Sequence, residues 1–434
     1  MASRHVAAPA VVEQGLYIAY AALATMAIVP IYFGSFASLK KWKNPKEKIK
    51  TIKRQIGESD ESDADMPSEP VSQQDAYTFL VFGSAAFYGL YLAYTQLEKS
   101  YVNYVLTAYF GVMGALAMAH VGVNTLSAVI KLLGLKVETW HVNFAKKSSE
   151  FYSAKFTIVH LFMLVVSVLL SGYYVATKSW IASNIFAISF ALNAIQLLSL
   201  DSFKAGLVLL IGLTAHDLVW VRSTEVMATV AKNFDGPLKV IFPRLLLGLP
   251  AGQAYKFATL SLGDIVIPGL FAALCLRFDQ HRAGTRNPEL GRSTQFRKPY
   301  FTACFVAYIL GLSIAFYMAH VFKFMQPALL YVSPTCILSM FMTAAVRGEM
   351  KQVFAYLSEE GLEAARIKKE AREKKSRLQA QARARAQASR YPPRVNRLPN
   401  VIKEESFVST ARSYPEPASS PSAGENKDNK DMKE

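Results

Sequence analysis

FKAGLVLLIGLTAHDLVWV, at residues 203–221, is one of two long apolar stretches with a single aspartate near the middle, here Asp217. The second, YKFATLSLGDIVIPGLFAALCL at residues 255–276, carries Asp264. Each stretch is long enough to cross a bilayer as a helix. A carboxylate at that depth is energetically costly and rarely faces lipid, so each aspartate is a candidate functional residue and the natural partner of the other.

The nearest basic residues predict that the two aspartates lie at the same depth. Asp217 follows Lys204 by thirteen residues, and Asp264 precedes Arg277 by thirteen residues. Because consecutive spans run antiparallel, Lys204 and Arg277 should mark one membrane face. At 1.5 Å rise per residue both carboxyl groups then lie roughly 20 Å from that face, past the midplane of a core about 30 Å thick. Equal depth is necessary for a pair of interacting carboxyl groups, although it does not prove contact.

The rest of the chain predicts an all-α polytopic membrane protein. Of its 434 residues, 52% are hydrophobic, and they fall in long runs. The net charge of +16 lies in loops and the tail, which is typical of cytoplasmic loops and argues against nucleic-acid binding. Nine spans are predicted, at residues 16–39, 77–95, 105–130, 156–176, 181–200, 203–221, 255–276, 301–322 and 327–346.

The distribution of Lys and Arg predicts the orientation in the membrane. The segments after spans one, three and seven carry eight, five and six basic residues, whereas those after spans two, four and eight carry one each. The positive-inside rule then places residues 1–15 outside the cytosol. With nine spans in the domain 16–346, the tail at 347–434 is cytosolic. The linker 40–76 is then cytosolic and the loop 222–252 is not.

The segments between and after the spans differ in composition. The linker is basic at 40–54 and acidic at 57–74, where we expect disorder. Residues 131–155 are predicted to form a loop with five lysines. The tail is predicted to be helical up to Tyr391 and disordered beyond it; its basic stretch either lies along anionic headgroups or is a solvated charged helix.

The loop 222–252 contains LKVIFP, which predicts a short extended piece. The loop is either an ordinary interfacial connector or a mobile gate beside the aspartates, where substrate backbone could pair with a strand.

Two neighbouring carboxyl groups support more than one chemistry. In a low dielectric one keeps its proton while the other acts as a base, which suits peptide hydrolysis. The same pair could bind or relay protons or cations in a transporter. The cysteines, Cys275, Cys304 and Cys336, fall inside predicted spans and are assigned to packing, so neither a metal site nor a cofactor is predicted.

The residues around the aspartates narrow this choice. HDLVWV at 216–221, SLGDIVIPG at 261–269 and QPALLY at 326–331 resemble, in order, the Tyr-Asp, Gly-x-Gly-Asp and Pro-Ala-Leu motifs of the signal peptide peptidase family, intramembrane aspartyl proteases related to presenilin. VMATVAKNFDGPLKVIFP at 226–243 and LRFD at 276–279 extend the resemblance, which covers most of residues 16–350.

The resemblance implies a presenilin-like fold and an aspartyl endopeptidase of the endoplasmic reticulum membrane. It implies that transmembrane peptides, such as leftover signal peptides and type II membrane anchors, are cut within the bilayer. A homo-oligomer or a membrane quality-control complex is left open as a partner. The implied catalytic residues are Asp217 and Asp264, and the implied cleft-shaping residues are His216, Ser261, Leu262, Gly263, Gln326, Pro327, Ala328 and Leu329.

Two positions depart from the family motifs. His216 replaces the tyrosine before the first aspartate, and it either hydrogen-bonds near Asp217 or faces elsewhere. Ser261 replaces the first glycine of the second motif; it adds bulk at a close-packing position, and its hydroxyl can bond to a preceding carbonyl. These departures keep two alternatives open: a catalytically impaired member that binds membrane segments for quality control, and an ion- or proton-conducting membrane protein.

Overall fold

The computed structural model describes residues 9–39, 70–134, 139–146, 149–222, 226, 229–230, 233–234, 236–244, 256–322 and 326–390. The predictions for 1–8, 40–69 and 391–434 lie outside this part of the chain, as does most of the loop 222–252. Within it the helices are α1 Pro9–Ala37, α2 Gln73–Gln96, α3 Lys99–Leu132, α4 Ile158–Thr177, α5 Trp180–Leu197, α6 Phe203–Arg222, α7 Gly263–Arg286, α8 Pro288–Arg292, α9 Pro299–Phe322, α10 Leu329–Arg347, α11 Met350–Ala355 and α12 Glu359–Arg390. The strands are β1 Pro70–Val71, β2 Thr139–Lys146, β3 Ser149–Thr157, β4 Ser199–Leu200, β5 Lys239–Pro243 and β6 Phe257–Ser261.

The all-α membrane fold predicted from the sequence is confirmed. Eight helices of the described residues are long and apolar enough to cross a membrane: α1 to α6, α9 and α10. Nine spans were predicted. The predicted span that is missing from these eight helices is the seventh, α7, which carries Asp264, Arg277, Asp279 and two further arginines. A helix with so many charges does not qualify on composition alone.

Helix α7 is central in the packing, which explains how it tolerates a mixed composition. It packs against α1, α5, α6, α9 and α10. Its residues 267–276 are all buried, and Phe271 lies edge-on against Phe203 of α6. Because neighbouring helices cover it, α7 meets protein on most sides.

The seventh predicted span needs a correction at its start. Residues 255–276 were predicted as one helix with Asp264 near the middle. Instead Phe257–Ser261 is strand β6, and α7 begins at Gly263, so Asp264 lies in the first helical turn. The physical reason is that the aromatic and β-branched residues of FATLS pair antiparallel with β5.

The region 131–155 also differs from its prediction as a loop. Strands β2 and β3 form an antiparallel pair, with a bulge between Phe144 and Ala145. The lysines suggested a solvated loop, but TWHVNFAK and SEFYSAKFT are rich in aromatic and β-branched residues that favour strands. A short parallel pair, β1 with β4, joins the chain before α2 to the end of α5.

The predicted extended piece LKVIFP is confirmed as β5. By its internal contacts the chain divides into two units, residues 1–372 and 373–434. The first contains α1 to α11 and the beginning of α12. The described part of the second is the remainder of α12, a helix in the region where the tail was predicted to be helical.

Candidate active site

The two aspartates come together where α6 packs against α7. Asp217 lies near the C-terminal end of α6 and Asp264 lies in the first turn of α7. Asp264 is 5% exposed, whereas the side chain of Asp217 is 33% exposed. One carboxyl group is thus enclosed by the protein and its neighbour is reachable from outside.

The start of α10 holds the carboxylate of Asp264. The backbone N–H of Leu329 donates a hydrogen bond of 3.0 Å to Asp264 Oδ1. Pro327 and Ala328 form the turn that opens α10, since their carbonyls accept from Leu330 and Tyr331. The first N–H groups of a helix have no partner within the helix, and a negative charge beside them is favourable. Asp264 therefore caps α10 from a different helix.

Three hydroxyl groups that the sequence did not single out lie on helices that carry or contact the two aspartates. Tyr308 of α9 donates to the backbone carbonyl of Asp264 at 3.4 Å. The hydroxyls of Thr214 on α6 and Ser333 on α10 are hydrogen-bonded at 2.8 Å. Thr214 precedes Asp217 by three residues, so helical spacing would have placed both on one face. No sequence signal indicates Tyr308 or Ser333.

His216 faces the aspartate next to it. Its Nδ1 lies 3.4 Å from Asp217 Oδ1, and its Nε2 accepts a hydrogen bond of 2.9 Å from the indole N–H of Trp220. Of the two alternatives weighed for His216, the structure shows the one in which the imidazole contacts Asp217.

The second motif forms the passage from β6 into α7. Ser261 ends the strand, Leu262 precedes the helix, and Gly263 begins it. The Ser261 hydroxyl accepts a hydrogen bond of 3.3 Å from the N–H of Gly263, and among the described residues no bond from this hydroxyl to a preceding carbonyl is seen. A methyl group added at Gly263 would meet, among the described residues, only Ser261 Oγ, at 3.7 Å. Space therefore remains beside the backbone that leads to Asp264.

A side-chain amide covers one edge of the two-stranded sheet. Asn184 of α5 donates to the carbonyl of Ile241 at 2.7 Å and accepts from its N–H at 2.9 Å. Both backbone groups of Ile241 thus point away from β6. In an antiparallel pair of strands, the backbone groups of two opposite residues point either toward each other or both outward. Thr259 lies opposite Ile241, so its backbone groups point to the outer edge of β6, and those of Ser261, two residues further on, do the same. Both residues are exposed.

Gln326 and the three cysteines are the remaining residues that the sequence singled out. The Gln326 side chain accepts a hydrogen bond from the Tyr331 hydroxyl across the first turn of α10. The cysteines are buried free thiols on α7, α9 and α10, away from solvent. Fold and site together define a multi-pass membrane protein with two neighbouring aspartates beside a strand edge. Its relatives make the class of protein an intramembrane protease.

Comparison with known proteins gives the family. The family model described as signal peptide peptidase matches residues 61–360, and the chain belongs to this family. It is 36% identical to the signal peptide peptidase of Mus musculus and 35% identical to that of Homo sapiens, in each case over 80% of this chain and 85% of the relative. It is 32% identical to a probable intramembrane protease of Schizosaccharomyces pombe, over 67% of this chain and 84% of that one.

Proposed function

We propose that this protease is an aspartyl endopeptidase in which Asp217 and Asp264 share the acid and base roles. The observation that carries the proposal is that the two aspartates lie on the packed helices α6 and α7, with Asp264 enclosed and the side chain of Asp217 reachable. Two carboxyl groups so placed cannot easily both ionise, and a pair with one proton is the arrangement that hydrolysis requires.

The reaction adds water across the peptide bond. The ionised carboxylate takes a proton from a water molecule as its oxygen attacks the carbonyl carbon, and the protonated carboxyl gives its proton to the carbonyl oxygen. The resulting tetrahedral diol collapses when the C–N bond breaks. The leaving nitrogen takes up a proton, so the products are a new carboxyl terminus and a new amine. The pair titrates as a unit, and the acid and base are roles within it.

The outer edge of β6 supports a binding mode for the substrate. A transmembrane helix has its carbonyls bonded internally, so it must unwind before water can attack. An unwound segment can pair with the backbone of Thr259 and with the carbonyl of Ser261, whose N–H is directed to Asp264, and β6 leads directly to Gly263 and Asp264. The opposite edge of the sheet is occupied by Asn184. Pairing on β6 would place the unwound backbone along the path to Asp264, and Gly or Pro in the substrate should aid cutting.

The cleft-shaping residues follow from the same geometry. Gly263 leaves room beside the backbone, and the turn of Pro327 and Ala328 presents the Leu329 N–H to Asp264. Leu262 joins strand to helix, and Gln326 is bonded across the α10 turn to Tyr331.

The location and the substrates are the finer part of the proposal. Two relatives are named signal peptide peptidase, which supports leftover signal peptides as substrates. Type II membrane anchors as further substrates, and the endoplasmic reticulum membrane as the location, belong to the proposal through the motif resemblance alone. The basic loops support a lumenal N-terminus and a cytosolic tail, with the protease domain at residues 16–346.

Cleavage of a synthetic signal peptide by the purified full chain in detergent tests the proposal. Asp217→Ala and Asp264→Ala are each expected to abolish cleavage, and an aspartyl-protease transition-state analogue should inhibit the parent protein. Asp279→Asn is the control for loss of a buried carboxylate on the same helix: asparagine keeps the acceptor for the Phe301 N–H at 3.0 Å but removes a charge 3.8 Å from Arg282 Nη1, so the variant is expected to be less stable and, once folded, to keep cleavage. Retained cleavage in both alanine variants would overturn the aspartyl mechanism.

A further inference from the structure

Trp220 and His216 lie four residues apart on α6, so their side chains are neighbours on one face. The indole N–H of Trp220 donates to His216 Nε2 at 2.9 Å. The other ring nitrogen, Nδ1, lies 3.4 Å from Asp217 Oδ1. The imidazole therefore connects the indole to the carboxyl group.

This arrangement fixes the tautomer of His216. An indole nitrogen is a donor only, so Nε2 must offer its lone pair to Trp220. In the neutral imidazole the single ring hydrogen then lies on Nδ1, where it faces Asp217. A second proton on the ring would set an N–H of His216 against the N–H of Trp220.

Packing with another helix holds Trp220 in place. The ring of Phe87, on α2, lies 4.9 Å from the Trp220 ring between centroids, and α2 packs along α6. The side chain of His216 is 18% exposed. The tautomer is thus fixed by tertiary structure and not only by a contact within one helix.

We propose that His216 is a positioning residue, which Trp220 holds in the Nδ1–H tautomer so that it donates to Asp217 and orients that carboxyl group. This inference rests on the proposed function, since it assumes that Asp217 takes part in hydrolysis. Asp217 then has the imidazole as a donor, whereas Asp264 accepts from the Leu329 backbone N–H and also lies beside the backbone N–H of Ser261. Only the imidazole donor can be changed by substitution.

Two amide variants of His216 distinguish a hydrogen-bond donor at the position of Nδ1 from a donor at the position of Nε2. In His216→Asn the amide nitrogen takes the place of Nδ1 and donates to Asp217. In His216→Gln the amide lies at the place of Nε2, next to Trp220. Loss of a hydrogen bond to a charged group corresponds to about tenfold to a hundredfold in rate, which we expect for kcat of the Gln variant; the Asn variant should lose less than about threefold. KM for the signal-peptide reporter should change little in either.

His120 provides the matched control. It lies on α3, with its Nδ1 2.6 Å from Asn193 Oδ1. His120→Asn and His120→Gln should not show the difference in kcat between the two amides. Equal kcat values in the two His216 variants would overturn the positioning role. If Asp217→Ala remains active, the proposed function fails instead, so the two failures are distinguishable.

A spectroscopic measurement reads the tautomer directly and does not depend on any variant's activity. The parent protein is labelled with ¹⁵N-histidine in detergent or lipid, and the His216 signals are assigned from those that disappear in His216→Asn; if that variant does not fold, Trp220→Phe identifies them by their shift. We expect a protonated Nδ1 and an unprotonated Nε2. A protonated Nε2 on His216 would overturn the proposal.

Discussion

The Leu329 N–H and the Asp264 carboxylate are hydrogen-bonded at 3.0 Å, which joins the first turn of α10 to the first turn of α7. Asp264 therefore has two tasks that its substitutions can separate. It is a candidate catalytic group, and it caps α10, whose first residue, Leu329, follows the turn of Pro327 and Ala328.

Asp264→Asn and Asp264→Ala should differ in stability although both lose activity. Asparagine keeps an oxygen acceptor for the Leu329 N–H, whereas alanine leaves that N–H without its partner. Removal of a capping acceptor costs about 1 kcal/mol. We expect the Asn variant to unfold at the temperature of the parent protein and the Ala variant to unfold lower, as measured by thermal denaturation in detergent. Equal losses of stability would show that the hydrogen bond does not stabilise the start of α10.

The membrane fold and the packing of the two aspartate-bearing helices could be predicted from the sequence because both depend on local signals. Apolar run lengths determine the spans, and thirteen-residue spacings to Lys204 and Arg277 indicate equal depth. The strand at the start of the seventh span was missed because FATLS is apolar enough to be predicted as part of a membrane helix. It forms a strand only because it pairs with β5, which is distant along the chain. Tyr308 and Asn184 could not be predicted, since their roles arise only when α9 and α5 pack beside the site.

Gly263→Ala should impair catalysis without loss of stability. The added methyl would meet only Ser261 Oγ among the described residues, at an ordinary contact distance of 3.7 Å. If substrate backbone passes there, the methyl occupies its space, and kcat/KM for the reporter should fall by about tenfold or more. The melting temperature should stay the same.

Gly311→Ala is the matched control for this glycine substitution. A methyl at Gly311 would lie 2.5 Å from Thr335 Oγ1 and 2.8 Å from Val332 Cα, so α9 and α10 would have to separate. Overpacking of this kind costs about 1–3 kcal/mol. Gly311→Ala should therefore lower the melting temperature. A Gly263→Ala protein with unchanged kcat/KM would contradict the idea that substrate uses this space.

Glu349→Ala should be strongly destabilising because Glu349 balances buried positive charge. Its carboxylate lies 2.5 Å from Arg282 Nη2, and it accepts from the Tyr300 hydroxyl at 2.9 Å. The side chain of Arg282 is 12% exposed, and removal of one partner from such a pair costs about 3–5 kcal/mol. Thermal unfolding should show the loss. Glu289→Ala is the control, because its pair with Arg292 is exposed and worth about 0–1 kcal/mol. Similar small effects in both would mean that the Glu349 pair is effectively solvated.

Asn184→Ala should broaden the positions at which a substrate is cut. The amide of Asn184 occupies both backbone groups of Ile241, so the β5 edge is closed and an incoming strand is directed to β6. Without the amide, Ile241 offers an N–H and a carbonyl to the substrate, which can then pair on the strand that does not lead to Asp264. Mass spectrometry of the products should show new cleavage positions and a lower yield of the original one.

Asn193→Ala separates this effect from a general loss of α5 packing. Asn193 lies on the same helix, and its amide donates to the carbonyls of Ala117 and Ser189, within α3 and α5 and not at the sheet. Its loss should therefore affect stability while the cleavage positions stay the same. If Asn184→Ala gives the original product pattern at the original rate, the β5 edge has no part in guiding the substrate. New positions in both variants would mean that the pattern reports loosened packing of α5, because of these two asparagines only Asn184 is hydrogen-bonded to β5.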